Sequence, residues 1–145
     1  MAGAEITLGL DFGDKTVGVA VTDGLFLTAQ GLETIHRERW NKWRKTLARI
    51  EEICKSREVK RIVLGYPLGL DGVEGERCER TKEFKDALEK RLDLPVELVD
   101  ERFTTNMANR LMTEGGVRSQ ELKSHADMVS AVLILESWME QQKRD

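Results

Sequence analysis

Apolar and polar residues alternate at the start of the chain. Ile6, Leu8, Leu10 and Phe12 fall on one side and Thr7, Gly9 and Asp11 on the other, the period of a strand. A second β-rich run, Val17 to Thr22, follows the Gly13–Asp14 turn signal, and the pair predicts a hairpin. After Asp23–Gly24 a third strand is expected from Thr28 to Ile35. Trp40, Trp43, Leu47, Ile50 and Cys54 then recur at alternating steps of three and four, one apolar stripe on a helix. The two tryptophans read as core anchors, with base stacking as the alternative.

Arg61 to Gly65 is a short buried strand that breaks into the Gly- and Pro-rich loop GYPLGLDGVEG. Residues 76–92 are charged and helical, with Phe84, Leu88 and Leu92 on one face. Leu94–Pro95 leads into a further strand, VELVDE. Thr104 or Thr105 caps a helix expected to run through Met112 and to end at Gly115–Gly116. The last helix, from about Ser124 to the tail, is apolar nearly all round and should be well buried. The order β-β-β-α-β-α-β-α-α implies a mixed sheet, three antiparallel strands and then parallel ones, with helices on both faces. In such sheets functional groups gather at the carboxyl ends of the parallel strands.

At 145 residues the chain fits one domain with a real core. A hydrophobic fraction of 40% and a charged fraction of 34% suit a soluble globular protein. The apolar runs are too short for a membrane helix, and MAGAEITLGLDFG has no leader-like character, so no membrane partner and a cytoplasmic location are expected. Cys54 and Cys78 stand alone beside only two histidines, which excludes a disulfide framework and a structural zinc site. The net charge of −3 gives no whole-molecule attraction to nucleic acid. Residues 37–61, however, hold ten bases against four acids. Such a run is either the solvated face of a helix or a phosphate-binding surface.

A carboxylate is costly in a tightly packed strand, so Asp11 needs an explanation. Glu101 ends the VELVDE strand, and both groups would project from one carboxyl edge if the strands run parallel. Asp127 heads the series Asp127, Ala131, Ile134, Trp138 and so shares the inward face of the last helix. Each has a plain structural reading: Asp11 accepting backbone N–H groups at the turn, Glu101 pairing with Arg102, Asp127 favouring its helix N-terminus. Together, three carboxylates at one edge require a shared counter-charge. Hard divalent cations prefer oxygen donors, and Mg²⁺ or Mn²⁺ fits such a set. Two such ions about 3.5–4 Å apart serve phosphodiester hydrolysis. Asp100 competes with Glu101, because adjacent strand residues face opposite ways.

The segments LGLDFGDKTVGVAVTD, VLGYPLGLDGVEG, LVDERFTT and HADMVSAVLILE, in this order, resemble the YqgF family across essentially the whole chain. Its members are described as RuvX-like Holliday junction resolvases or pre-16S rRNA nucleases, with an RNase H-like fold. The resemblance implies one RNase H-like nuclease domain over residues 1–145. It makes Asp11, Glu101 and Asp127 the acidic, metal-binding set, and so prefers Glu101 to Asp100. Gly65, Pro67, Asp71 and Gly72 match the GxPxxxDG loop, taken to border the substrate groove. Arg102, Thr104 and Thr105 match the DER-x-TT segment, and Lys15 and Lys123 match basic positions. Relatives are often more basic where this chain has Ser124, His125 and Met128; Ser130 stands for a usual Ala and Tyr66 for a small or aliphatic residue.

A kinase reading of Asp11–Phe12–Gly13 fails, because nothing upstream could supply the other kinase motifs. An actin-like ATPase is a rival, since a DxG hairpin can hold nucleotide phosphates, but the chain is short for two closing lobes. A nucleic-acid-binding module with little catalysis is another. The expectation is a metal-dependent endonuclease on structured nucleic acid, processing the 5′ end of pre-16S rRNA, resolving Holliday junctions, or both. Its partners would be structured RNA and/or branched DNA, and it would act as a monomer or homodimer.

Overall fold

A computed structural model describes residues 6–13, 15–23, 28–39, 41–67, 75–100 and 119–144, with the backbone alone at 119–127 and 143–144. The elements are β1 (Thr7–Phe12), β2 (Thr16–Thr22), β3 (Ala29–His36), α1 (Arg44–Arg57), β4 (Arg61–Tyr66), α2 (Glu76–Leu92), β5 (Val96–Asp100) and α3 (Ser119–Arg144). The expected helix after Thr104 or Thr105 lies outside the described residues.

The strands form one sheet in the order β3-β2-β1-β4-β5. β1–β2 and β2–β3 are antiparallel, whereas β1–β4 and β4–β5 are parallel. This is the mixed sheet that the sequence pattern implies. The first hairpin closes through the Gly13 N–H, which donates to the Thr16 carbonyl at 2.7 Å.

Alternation along the strands builds two cores. Leu8, Leu10, Phe12, Ile62, Leu64 and Val96 face α1 and α2, where Leu47, Ile50, Phe84 and Leu88 meet them. Ala20, Val63 and Val99 face the other way, toward Ala131, Ile134, Leu135 and Trp138 of α3. Strands buried on both faces read as nearly continuous apolar runs, as RIVLGY does in β4.

α1 begins at Arg44, with Trp43 as its N-cap residue, so Trp43 of the expected stripe stands just before the helix. Trp43 nevertheless packs on the core, as expected; Trp40 lies outside the described residues. α2 matches the expected span, and its last turn returns the Asp93 N–H to the Glu89 carbonyl at 3.0 Å. α3 begins at Ser119, five residues before the expected start, because its first turns carry no apolar period to announce them. From Met128 to Met139 only Glu136 is exposed, so α3 is as enclosed as its composition predicts. Among the described residues no helix is long and apolar enough to cross a membrane.

Candidate active site

β1, β4 and β5 run parallel, so Phe12, Tyr66 and Asp100 end at the same edge of the sheet. Asp11 sits one residue inside that edge and is half-buried. Its neighbours Leu10 and Phe12 point into the α1–α2 core, so alternation turns Asp11 to the α3 face. Across the ladder Asp11 pairs with Gly18, and Gly65 follows the Leu10–Leu64 pair on the opposite side. Both flanking positions on this face therefore lack a side chain. A carboxylate beside bare backbone is accessible to a ligand that a Val or Leu on either side would displace.

Phe12 anchors this strand end. Its ring stacks on Phe84 at 4.3 Å between centroids, and Trp43 lies 6.2 Å from Phe12 and 5.6 Å from Phe84. The Arg37 guanidinium covers the outer side of Phe12 at 4.4 Å and donates from Nη2 to the Gly13 carbonyl. The Arg37 N–H donates to the Lys15 carbonyl at 2.8 Å. Arg37 thus ties β3 to the turn that carries Lys15. Sequence reading missed this positioning residue, which looked like one more member of the basic run.

The described residues bring Asp11, Lys15, Gly65 and Pro67 to one edge. Lys15 is exposed in the first turn. Pro67 follows β4 directly, and its carbonyl accepts from the buried Cys78 thiol at 3.2 Å. Asp71, Gly72, Glu101, Arg102, Thr104 and Thr105 lie outside the described residues. Lys123 and Asp127 lie on the α3 backbone. Asp127 is one turn, about 6 Å, before Ala131. The Ala131 carbonyl in turn lies 3.1 Å from where a Cβ on Gly9 would stand, and Gly9 is two residues, about 6.6 Å, from Asp11. Met128, the residue after Asp127, has its Cβ 3.3 Å from where a Cβ on Gly31 of β3 would stand, two strands across the sheet from β1.

Asp100 is described, and it does not share the Asp11 face. Val99 belongs to the α3 core, so its neighbour turns toward the α1–α2 side. A carboxylate at this edge offers hard oxygen donors, which suit a divalent ion. Among the described residues no group of three potential ligands is assembled.

The model of the RuvX family, described as Holliday junction resolvase, matches residues 5–141. A protein of Agathobacter rectalis named "Putative pre-16S rRNA nuclease" is 53% identical over 133 residues, covering 92% of this chain and 93% of its own. A protein of the same name from Lachnospira eligens is 47% identical over 137 residues, covering 94% of this chain and 98% of its own. Among solved structures, Thermus thermophilus RuvC in complex with a Holliday junction substrate superimposes with a TM-score of 0.56 at 17% identity, covering 93% of this chain and 96% of the other. The fowlpox virus Holliday junction resolvase does so with a TM-score of 0.52 at 14% identity, over 94% and 99% of the two chains. These likenesses show that the mixed sheet of this chain has the RNase H-like resolvase fold. By the extent of the family match and of the identity to its relatives, the chain belongs to the RuvX Holliday junction resolvase family.

Proposed function

We propose that this protein is a divalent-metal-dependent endonuclease that trims the 5′ end of pre-16S rRNA in the cytoplasm. The observation that carries the reading is chain-long identity, 53% over 92% of the chain, to a relative named for that activity. The position of Asp11, at the carboxyl edge between Gly18 and Gly65, supplies a fitting place for the chemistry. Holliday junction cleavage is the second reading, favoured by the description of the family and by the fold it shares with RuvC.

In this reading Asp11, Glu101 and Asp127 would hold Mg²⁺ or Mn²⁺. Bound there, the ions would lower the pKa of attacking water and stabilise the departing oxygen. The protein's part is to fix three carboxylates from distant segments and to hold the phosphate in line. Lys15, Arg102 and Lys123 are the bases assigned to the substrate phosphates, and the Gly65–Pro67–Asp71–Gly72 loop and the Thr104–Thr105 segment border the groove. Alternation continued one residue past β5 would turn Glu101 to the Asp11 face, which supports it over Asp100. A single domain can cut one RNA strand, whereas symmetric cleavage of a junction needs two sites and hence a dimer.

The test compares wild type with Asp11→Asn on a labelled pre-16S 5′ leader and on a four-way DNA junction, with Mg²⁺ or Mn²⁺. Loss of several kcal/mol of charge stabilisation predicts a fall in rate of at least about a hundredfold. Equal cleavage by folded wild type and variant would sink the mechanism. Cutting of the junction alone would select the second reading, and tight binding without cutting would make the protein a binding module.

A further inference from the structure

The basic run singled out in the sequence is not absorbed by the active site. α1 lies on the face of the sheet opposite Asp11 and turns Arg44, Lys45, Arg49, Glu52 and Lys55 to solvent, while Leu47, Ile50 and Cys54 are buried. Four acids of this region are engaged, and Glu58, exposed at the end of the helix, makes no ion pair among the described residues. Glu38 meets Lys42 at 4.0 Å, Glu51 meets Arg91 at 3.4 Å, and Arg49 takes Glu33 at 2.5 Å and Glu52 at 3.6 Å. Arg44, Lys45, Lys55, Arg57 and Lys60 make no ion pair among the described residues. Folding therefore engages most of the local negative charge and leaves Glu58 alone against these five cations, in a chain whose net charge is −3.

Their layout has a direction. β3 runs parallel to β1 and ends at the edge that carries Asp11, so the first turn of α1 starts near that edge. The helix then returns to the opposite edge, where β4 begins. From Arg44 to Lys55 is eleven residues, about 16 Å of helix. That length spans about five phosphates of one strand at roughly 3.4 Å of axial rise each. None of the exposed side chains on this helix is aromatic, so the face offers cations for a backbone and no platform for unstacked bases.

We propose that the outer face of α1 is a second contact surface, which grips the phosphate backbone of a double-stranded nucleic-acid arm flanking the cut site. The surface rests on the nuclease reading and extends it to the substrate: a duplex arm, recognised by its charge and not by its sequence. It acts on affinity and leaves the chemistry at Asp11 alone.

The experiment uses the full chain with Arg44→Gln, Lys45→Gln, Lys55→Gln and Arg57→Gln combined, and the two adjacent pairs separately. Binding and cleavage are measured against KCl for substrates that carry or lack a duplex arm of about two turns, in RNA and DNA versions. Each lost phosphate contact flattens the plot of log affinity against log salt by about 0.9, so the combined variant should lose about 2–4 from the slope and each pair about half of that. KM on armed substrate should rise about tenfold or more near physiological salt, with kcat unchanged and the armless substrate unaffected. Whichever armed substrate loses more identifies the source of the duplex. A slope and KM equal to wild type, or equal losses on armed and armless substrates, would overturn the proposal. Replacement of Lys90 and Arg77 on α2 by Gln is the control, expected to leave the slope unchanged. Failure of wild type to bind or cut any substrate would instead remove the nuclease reading itself.

Discussion

Gly9 of β1 and Leu135 of α3 interlock: a Cβ built on Gly9 would stand 2.4 Å from Leu135 Cγ and 3.1 Å from the Ala131 carbonyl oxygen. Leu135 is fully buried and the Ala131 carbonyl is backbone, so turning the Leu135 side chain does not by itself relieve both contacts. Gly9 is thus what lets α3 lie directly on β1, and α3 is the element that carries Asp127.

Gly9→Ala should therefore act on both fold and activity. Overpacking of a close contact costs about 1–3 kcal/mol, readable as a lower urea midpoint. The helix must also lift from β1, so cleavage should fall further than the remaining folded fraction explains. A variant with wild-type cleavage per folded molecule would show that α3 and the Asp11 site are not coupled through this contact.

This interlock also shows where sequence reading stops. The strands β1, β2 and β4 were legible because alternation and short apolar runs are local signals, as was α2, bounded by charged turns and Leu94–Pro95. The start of α3 was not, since the stretch from Ser119 to His125 is polar apart from Leu122 and shows no apolar period. β3 was legible, expected at Thr28–Ile35 and found at Ala29–His36, but a bulge between Val19 and Ala20 shifts its ladder, so that Ala20 faces Gly31 while Val19 faces Glu33. At the site, Asp11 was legible as a misfit in an apolar strand. The glycines beside it, the Arg37 brace and the contact of Gly9 with Leu135 depend on which segments meet, and no local pattern encodes that.

The pairing of Arg49 with Glu33 gives a signed dependence on pH. The hydrogen bond from Arg49 holds the Glu33 carboxyl below its usual value against the opposing effect of partial burial. A carboxylate with a lowered folded pKa contributes stability above its unfolded pKa and loses it as pH falls through the folded value. Arg49→Gln should thus be slightly less stable than wild type at neutral pH, and the gap should close in the acid range below the usual carboxylate pKa. Thermal melts of both proteins between pH 7 and pH 3 check this; a gap that widens on acidification would contradict it. Both side chains are part-exposed, at 44% and 31%, so salt should narrow the gap as well.

Cys54 behaves in the opposite sense. Burial, helped by the charge of Glu51, pushes its thiol up to about 11. At pH 8 only about one thiol in a thousand is ionised, and the thiolate is the reactive form. Iodoacetamide should leave Cys54 unmodified in the native protein and label it rapidly in urea, as read by peptide mass mapping. A raised folded pKa favours the protonated fold below the unfolded thiol pKa near 8.5, so stability should decline as pH rises from there through about 11. Rapid native labelling at pH 8 would refute the assignment.

Metal binding at the proposed carboxylate set should register as stability, independently of cleavage. A ligand that binds only the folded state adds about 2.7 kcal/mol at one hundred times its Kd, or roughly 5–10 °C in melting temperature for a domain of this size. Wild type titrated with Mg²⁺ or Mn²⁺ should therefore melt progressively higher, and EDTA should reverse the rise. Asp11→Asn removes one anionic donor from the centre of the set, so its melt should respond weakly or not at all. Glu101→Gln and Asp127→Asn should each blunt the rise too, whereas Asp100→Asn should not, because alternation turns Asp100 to the opposite face of the sheet. An equal rise in wild type and Asp11→Asn would place the ion elsewhere. A flat response in Glu101→Gln together with a full response in Asp100→Asn would separate the two adjacent carboxylates by function.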